Sequence, residues 1–153
     1  KDSGALVPIC LENMAGAGTE IGVSFSELRS IIDISERGPF LRICLDTCHA
    51  YGGGYNVATE RGLDATLGEL DSAVGLDRVM IVHANDSKGQ LGSGKDRHDH
   101  IGEGSIGLAG FRAILARPEL RRLPFVLETP VDAPEDQVRD LAALKACAAG
   151  EER

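Results

Sequence analysis

Arg42-Ile43-Cys44-Leu45-Asp46-Thr47-Cys48-His49 is the stretch on which the fold turns. Its first four residues make a short, mostly apolar run, as a strand buried on both faces of a parallel sheet requires. A carboxylate then stands where that strand passes into its loop, with an imidazole three residues later. The same grammar recurs on either side. Leu6–Leu11 (LVPICL) is followed by Glu12, Arg78–Val82 (RVMIV) by His83, and Pro124–Leu127 (PFVL) by Glu128. Helical periodicity fills the gaps. Ser24-x-x-Glu27 is a capping box, and Phe25, Leu28, Ile31 and Ile32 follow at helical spacing until Gly38 and Pro39 stop them. Thr59–Val74 reads as a second helix, the segment of Leu108, Phe111, Ile114 and Leu115 as a third ending before Pro118, and Pro134–Ala148 as a fourth. From about Ala84 to Gly107 the chain is a polar, glycine-rich loop.

Strands alternating with helices imply an α/β fold with a parallel sheet and right-handed crossovers. The pattern is (βα)4, with no linker, repeat or low-complexity tract, and predicts a single domain over residues 1–153. Two architectures fit. Length alone favours an open doubly wound sheet, because a complete (β/α)8 barrel takes about 250 residues. The strand ends favour half a TIM barrel instead. In parallel α/β folds the carboxyl ends of strands form the active face, and all four strands here end in a residue able to ligate a metal.

Composition sets the remaining bounds. The chain has 153 residues, 42% hydrophobic and 26% charged, which fits a globular domain with a sizeable core. Lys1 opens it, and Lys1–Gly4 runs almost at once into an apolar segment, as if the chain began inside a larger unit. No apolar run approaches the roughly 20 residues of a membrane span, and no charged-then-apolar leader opens the sequence. The four cysteines form no C-x-x-C pair, and Cys10 and Cys44 sit in apolar runs as small hydrophobes, which points to a reducing setting. A net charge of −8 argues against nucleic acid as a partner on bulk electrostatics, unless the carboxylates are gathered to hold cations. The second reading has support. All four histidines (His49, His83, His98, His100) lie in segments that also carry Asp46, Asp86, Asp96 or Asp99, and an Asp/Glu/His mixture suits Zn²⁺ or Mn²⁺. Met14 and Met80 read as packing residues, and the Gly52-Gly53-Gly54 cluster as room for close backbone approach.

These residues carry a family resemblance. Leu11-Glu12-Asn13-x-Ala15-Gly16, Cys44 through Ala50, His83 through Asn85-Asp86-Ser87-Lys88 and Gly92-Ser93 to Asp96-Arg97-His98, His100 through Gly107, and Leu127-Glu128-Thr129-Pro130 all resemble the endonuclease IV family. Small departures, such as Arg42 and Asn56, remove no candidate ligand. The resemblance runs from about residue 6 to 130 and implies the second half of a xylose-isomerase-like TIM barrel, with the helix at 134–148 closing it. It also implies a trinuclear zinc site, of which this chain supplies two full ligand sets. Glu12 bridges; Asp46, His83 and Glu128 complete one set; His49, Asp96 and His98 form the second. Glu12, Asp46 and Glu128 would be the catalytic carboxylates. His98 is assigned beside Asp96 by the family pattern, since His100 shares its parity. The implied activity is hydrolysis of duplex DNA 5′ to an abasic site, leaving a 3′-hydroxyl, together with trimming of 3′ ends. Lys88 and Arg97 would lie near phosphate oxygens, or else serve as solvated charges that orient the ligands. The missing barrel half, or self-association, would complete the fold. The setting would be cytoplasmic and nucleoid-associated in a bacterium, nuclear or mitochondrial in a eukaryote. Two other functions fit the residues: a metal-dependent sugar isomerase or epimerase of the same barrel class, and a metal-binding fragment without turnover.

Overall fold

The structure is a computed structural model that describes residues 7–150. Four strands form one parallel sheet in the order β1 (Cys10–Glu12), β2 (Arg42–Asp46), β3 (Val79–His83) and β6 (Phe125–Val126). The expected first strand began at Leu6, which lies outside the described residues. Pairing starts later, at Cys10, because Pro8 has no N–H to give a ladder. Between these strands run α1 (Phe25–Ile34), α3 (Glu60–Ala73) and α4 (Gly107–Ala116), with α5 (Asp136–Ala149) after the last. The architecture is the α/β alternation the sequence implied.

Local chemistry explains the helix starts. Ser24 accepts from the Glu27 backbone, and the Glu27 carboxylate accepts the Ser24 N–H in return, so both halves of the capping box form. Thr59 caps α3 through the N–H of Gly62. The helices bury one stripe each: Phe25, Leu28 and Ile32 from α1, Leu63, Leu67 and Leu70 from α3, Phe111 and Ile114 from α4. Ile43, Leu45 and Val82 meet them from the sheet, and the core lies between the two layers.

Three features departed from the sequence reading. Thr47–Gly52, expected as loop, is a short buried helix (α2) whose first turn is capped by Asp46, the carboxylate accepting the His49 N–H at 2.7 Å. The run of glycines behind it disguised the helix. Within the long loop, β4 (Asp86–Ser87) and β5 (His98–Asp99) pair antiparallel, with Ser87 opposite His98. Met80 is not a packing residue. Ile43 pairs with Val79 and Cys44 with Ile81, so Met80 is the extra residue of a bulge and is 39% exposed. The bulge lets Val79 and Val82 both face the core and brings His83 opposite Asp46; regular pairing from Val79 onward would have put Val82 there.

Candidate metal centre

Glu12, Asp46 and His83 are the last residues of β1, β2 and β3, and Glu128 follows β6 by two residues. The registers set Asp46 opposite His83, with Glu12 opposite Cys44 and Glu128 two residues beyond the partner of His83, so the four side chains are staggered yet all lie at the carboxyl end of the sheet. One ligand atom from each lies within 4.8 Å of those of the others. His83 Nδ1 is the hub, 3.3 Å from Glu12 Oε1, 3.1 Å from Glu128 Oε2 and 3.9 Å from Asp46 Oδ2.

A second group adjoins the first. His49 on α2 and His98 on β5 face each other with their Nε2 atoms 3.5 Å apart, and Asp96 Oδ1 lies 3.2 Å from one and 3.4 Å from the other. The remaining ring nitrogens are held by the backbone. His49 Nδ1 is 3.0 Å from the Asn13 carbonyl, and His98 Nδ1 is 2.9 Å from the Glu128 carbonyl. Donation from each Nδ1 leaves two Nε2 lone pairs and a carboxylate oxygen converging on one point, the arrangement of metal-ligating histidines held by outer partners. The edges fit as well. Tetrahedral zinc bonds of about 2.0–2.1 Å put ligand atoms roughly 3.3–3.4 Å apart. The second group therefore fits a divalent metal at these edges, the first offers a looser four-donor set within 4.8 Å, and Glu12 Oε1 lies between the two, 3.2 Å from His49 Nδ1.

Electrostatics follow from this crowding. Burial pushes the Glu12 carboxyl up, but the hydrogen bond with His49 and the nearby His83 outweigh it and hold it below the ordinary range. Burial dominates at Asp46 and raises its carboxyl despite His49. At His49 burial opposes the charge, yet Glu12, Asp46 and Asp96 together raise the imidazole to about 9. The site is thus built to hold positive charge. The thiols nearby are not. Burial raises Cys44 and pushes Cys48 up to about 11, so both remain protonated and apolar in behaviour.

The seven expected ligands are thus brought together, and His100 is not among them: its ring turns to Asp140. Lys88 and Arg97 pair through their backbones, Lys88 N–H donating to Arg97 at 2.9 Å, and both side chains are exposed on that hairpin. Arg97 also lines a groove of about 500 Å³ with Lys95, Asp96 and Glu20. Two asparagines escaped the sequence reading. Asn13 exchanges hydrogen bonds with the backbone of Asp46 at 2.9 and 3.1 Å. Asn85 donates to Asp46 Oδ2 at 2.6 Å and accepts the Glu128 N–H at 2.8 Å. Both are wholly buried, and their adjacency to strand-end ligands, in Glu12-Asn13 and His83-Ala84-Asn85, was the available signal.

The family model for xylose isomerase-like TIM barrels matches residues 3–147. The chain belongs to that family. Within it, the chain is 47% identical over 139 residues to a protein of Methanoculleus marisnigri named Probable endonuclease 4, covering 91% of this chain and 49% of that protein. It is 51% identical over 142 residues to the protein of the same name from Solibacter usitatus, covering 92% and 49%. The crystal structure of endonuclease IV from Thermus thermophilus superposes with a TM-score of 0.79 at 41% identity, over 92% of this chain and 49% of that one. The chain thus spans about half the length of the curated relatives it matches, and the half matched is the C-terminal one. The four-strand sheet is accordingly a segment of a TIM barrel, and the resemblance to endonuclease IV holds. No helix among the described residues is long and apolar enough to cross a membrane.

Proposed function

We propose that this chain is the metal-binding half of a zinc-dependent endonuclease that cuts duplex DNA 5′ to an abasic site, leaving a 3′-hydroxyl, and that also trims blocked 3′ ends. Residues 6–130 carry the centre, and the helix after residue 134 closes the domain. The observation that carries this reading is the pair of facing imidazoles with Asp96, set beside the Glu12, Asp46, His83 and Glu128 cluster in a relative of endonuclease 4. Zn²⁺ suits the imidazole-rich group, and Mn²⁺ is the alternative for the carboxylate-rich one. Divalent ions at such a site supply a nucleophile at neutral pH and neutralise the charge of the phosphoryl group.

The chain's own residues do the rest. Asp46, His83 and Glu128 hold one ion, His49, Asp96 and His98 another, and Glu12 lies between the two sets. Asn13 and Asn85 lock the backbone and the carboxylate of Asp46, so the strand ends need not reorganise during turnover. Lys88 and Arg97 project from the adjoining hairpin toward solvent, where phosphates of the duplex would pass. A local basic rim also answers the bulk charge of −8, which would otherwise repel DNA. Such an enzyme works where duplex DNA is kept: the nucleoid in a bacterium, the nucleus or mitochondrion in a eukaryote.

The test is a chimera that joins this chain to the first half of Thermus thermophilus endonuclease IV, assayed on a duplex with one abasic site. Nicking that needs Zn²⁺ or Mn²⁺, stops with EDTA, leaves a polymerase-extendable 3′ end and is lost in Glu12→Gln is expected. A chimera that binds metal but does not nick would overturn the reading in favour of a metal-binding fragment, and sugar isomerisation without nicking would favour an isomerase.

A further inference from the structure

We infer that Asp140, on α5, is a positioning residue for the Asp96/His98 limb of the centre, acting through His100; this rests on the metal reading above. Asp140 is 1% exposed, yet α5 is a docking helix. Its buried stripe of Asp140, Ala143, Leu144 and Cys147 recurs at helical spacing and packs on α4. A helix that had only to dock would carry an apolar residue at position 140, because a buried carboxylate is costly unless bonded. Both oxygens of Asp140 are bonded, and to one place. Oδ2 lies 2.9 Å from His100 Nδ1, and Oδ1 accepts the Ile101 N–H at 3.2 Å.

That place is the exit from the metal centre. His98 lies on β5 and Asp96 two residues ahead of it, and the pairing with β4 covers only His98 and Asp99. Beyond Asp99 no ladder continues, and alternation ends with the strand, so His100 turns toward Asp140 while His98 turns toward Asp96. The far end of the same loop is pinned by a second buried carboxylate: Asp86 accepts the N–H groups of Gly102, Ile106 and Gly107. Beyond the local bond from the His100 N–H to Asp99 Oδ1, Asp140 is therefore the first anchor past His98 that another element supplies. Ligand geometry must hold within roughly 0.5 Å, and partners that orient ligands typically govern metal affinity by about 10–100-fold. Asp140 acts one step further out, at the low end of that range.

The experiment uses the 153-residue chain with Asp140→Ala, His100→Ala, the double variant and Leu144→Ala. Leu144→Ala removes buried apolar surface from α5 and keeps the Asp140 carboxylate. Co²⁺ titration, followed by its visible absorption, is expected to show about tenfold weaker binding at the imidazole-rich set in both single variants and no further loss in the double. Binding at the His83 set should be unchanged, and Leu144→Ala should lower the melting temperature but leave both affinities intact. Amide hydrogen exchange of the metal-free chain should rise at residues 96–101 in Asp140→Ala and stay unchanged over 42–49. Unchanged exchange at 96–101 would overturn the inference whatever the metal does. So would unchanged Co²⁺ affinity, or a loss that Leu144→Ala reproduces. A wild-type chain that takes up no Co²⁺ would instead overturn the metal reading, with the exchange result still deciding whether Asp140 holds the loop.

Discussion

Asn85 is the residue whose removal should tell most about the centre's rigidity. Its amide links two strand ends, donating to Asp46 Oδ2 at 2.6 Å and accepting the Glu128 N–H at 2.8 Å, wholly buried. Asn85→Ala deletes both bonds and adds none. A neutral hydrogen bond contributes about 1 kcal/mol and one to a charged group about 2 kcal/mol, so the loss should be about 3 kcal/mol. At this chain length that lowers Tm by roughly 6–12 °C. Asn85→Asp keeps the acceptor for Glu128 but sets a carboxyl against Asp46 at the same short distance. Two such groups share a proton in the folded chain and ionise separately when unfolded. The folded state then binds more protons between about pH 4 and its raised value, so stability falls as pH rises through that window. Thermal melts with EDTA present, from pH 5 to 8, measure both effects. Asn85→Ala within about 0.5 kcal/mol of wild type, or an Asn85→Asp chain whose Tm is flat in pH, would refute the account of Asn85 as the lock on Asp46.

Four further outcomes are expected. At saturating zinc, His98→Ala should lower the bound metal by about one ion per chain by elemental analysis, while His100→Ala leaves the count intact; equal losses would reverse the assignment. Gly68→Ala should raise stability by up to about 1 kcal/mol, because Gly68 lies inside α3 with nothing near its would-be Cβ. By contrast, Gly104→Ala should lower stability, since its Cβ would meet Asp86 Oδ1 at 2.5 Å and the Ser87 carbonyl at 2.6 Å; urea melts that rank these two variants the other way would be decisive against it. A polypeptide of these 153 residues alone should nick an abasic duplex far more slowly than the chimera, because β1 and β6 leave open sheet edges and Glu12 alone serves the third ion of the family pattern. Comparable turnover would show those residues to be sufficient.

Much of this was legible because the buried parallel strands announce themselves as apolar runs, and each run stops at or beside a side chain able to ligate a metal. The capping box at Ser24 and Glu27 placed α1 for the same reason: its chemistry is local. What stayed hidden was tertiary. α2 depends on Asp46 serving as a cap, which a loop-like Gly52-Gly53-Gly54 obscured. Parity alone did not separate His98 from His100, and the family pattern made that choice; what turns His100 away, the end of β5 and a carboxylate forty residues downstream, no local pattern encodes. The roles of Asn13 and Asn85 lie in bonds across 33 to 43 residues, so the amides looked like ordinary loop polarity.

The bulge at Met80 has a consequence for how this half-barrel tolerates change. Val79 is tied to Ile43 below it and Ile81 to Cys44 above it, so Met80 is slack between two fixed points. A chain one residue shorter at that position could close the ladder without moving His83, and the lower sheet could drift in length without disturbing the mouth. The two ends of β3 are mechanically insulated from each other: insertions and deletions beneath the bulge become a matter of packing, and those above it a matter of chemistry.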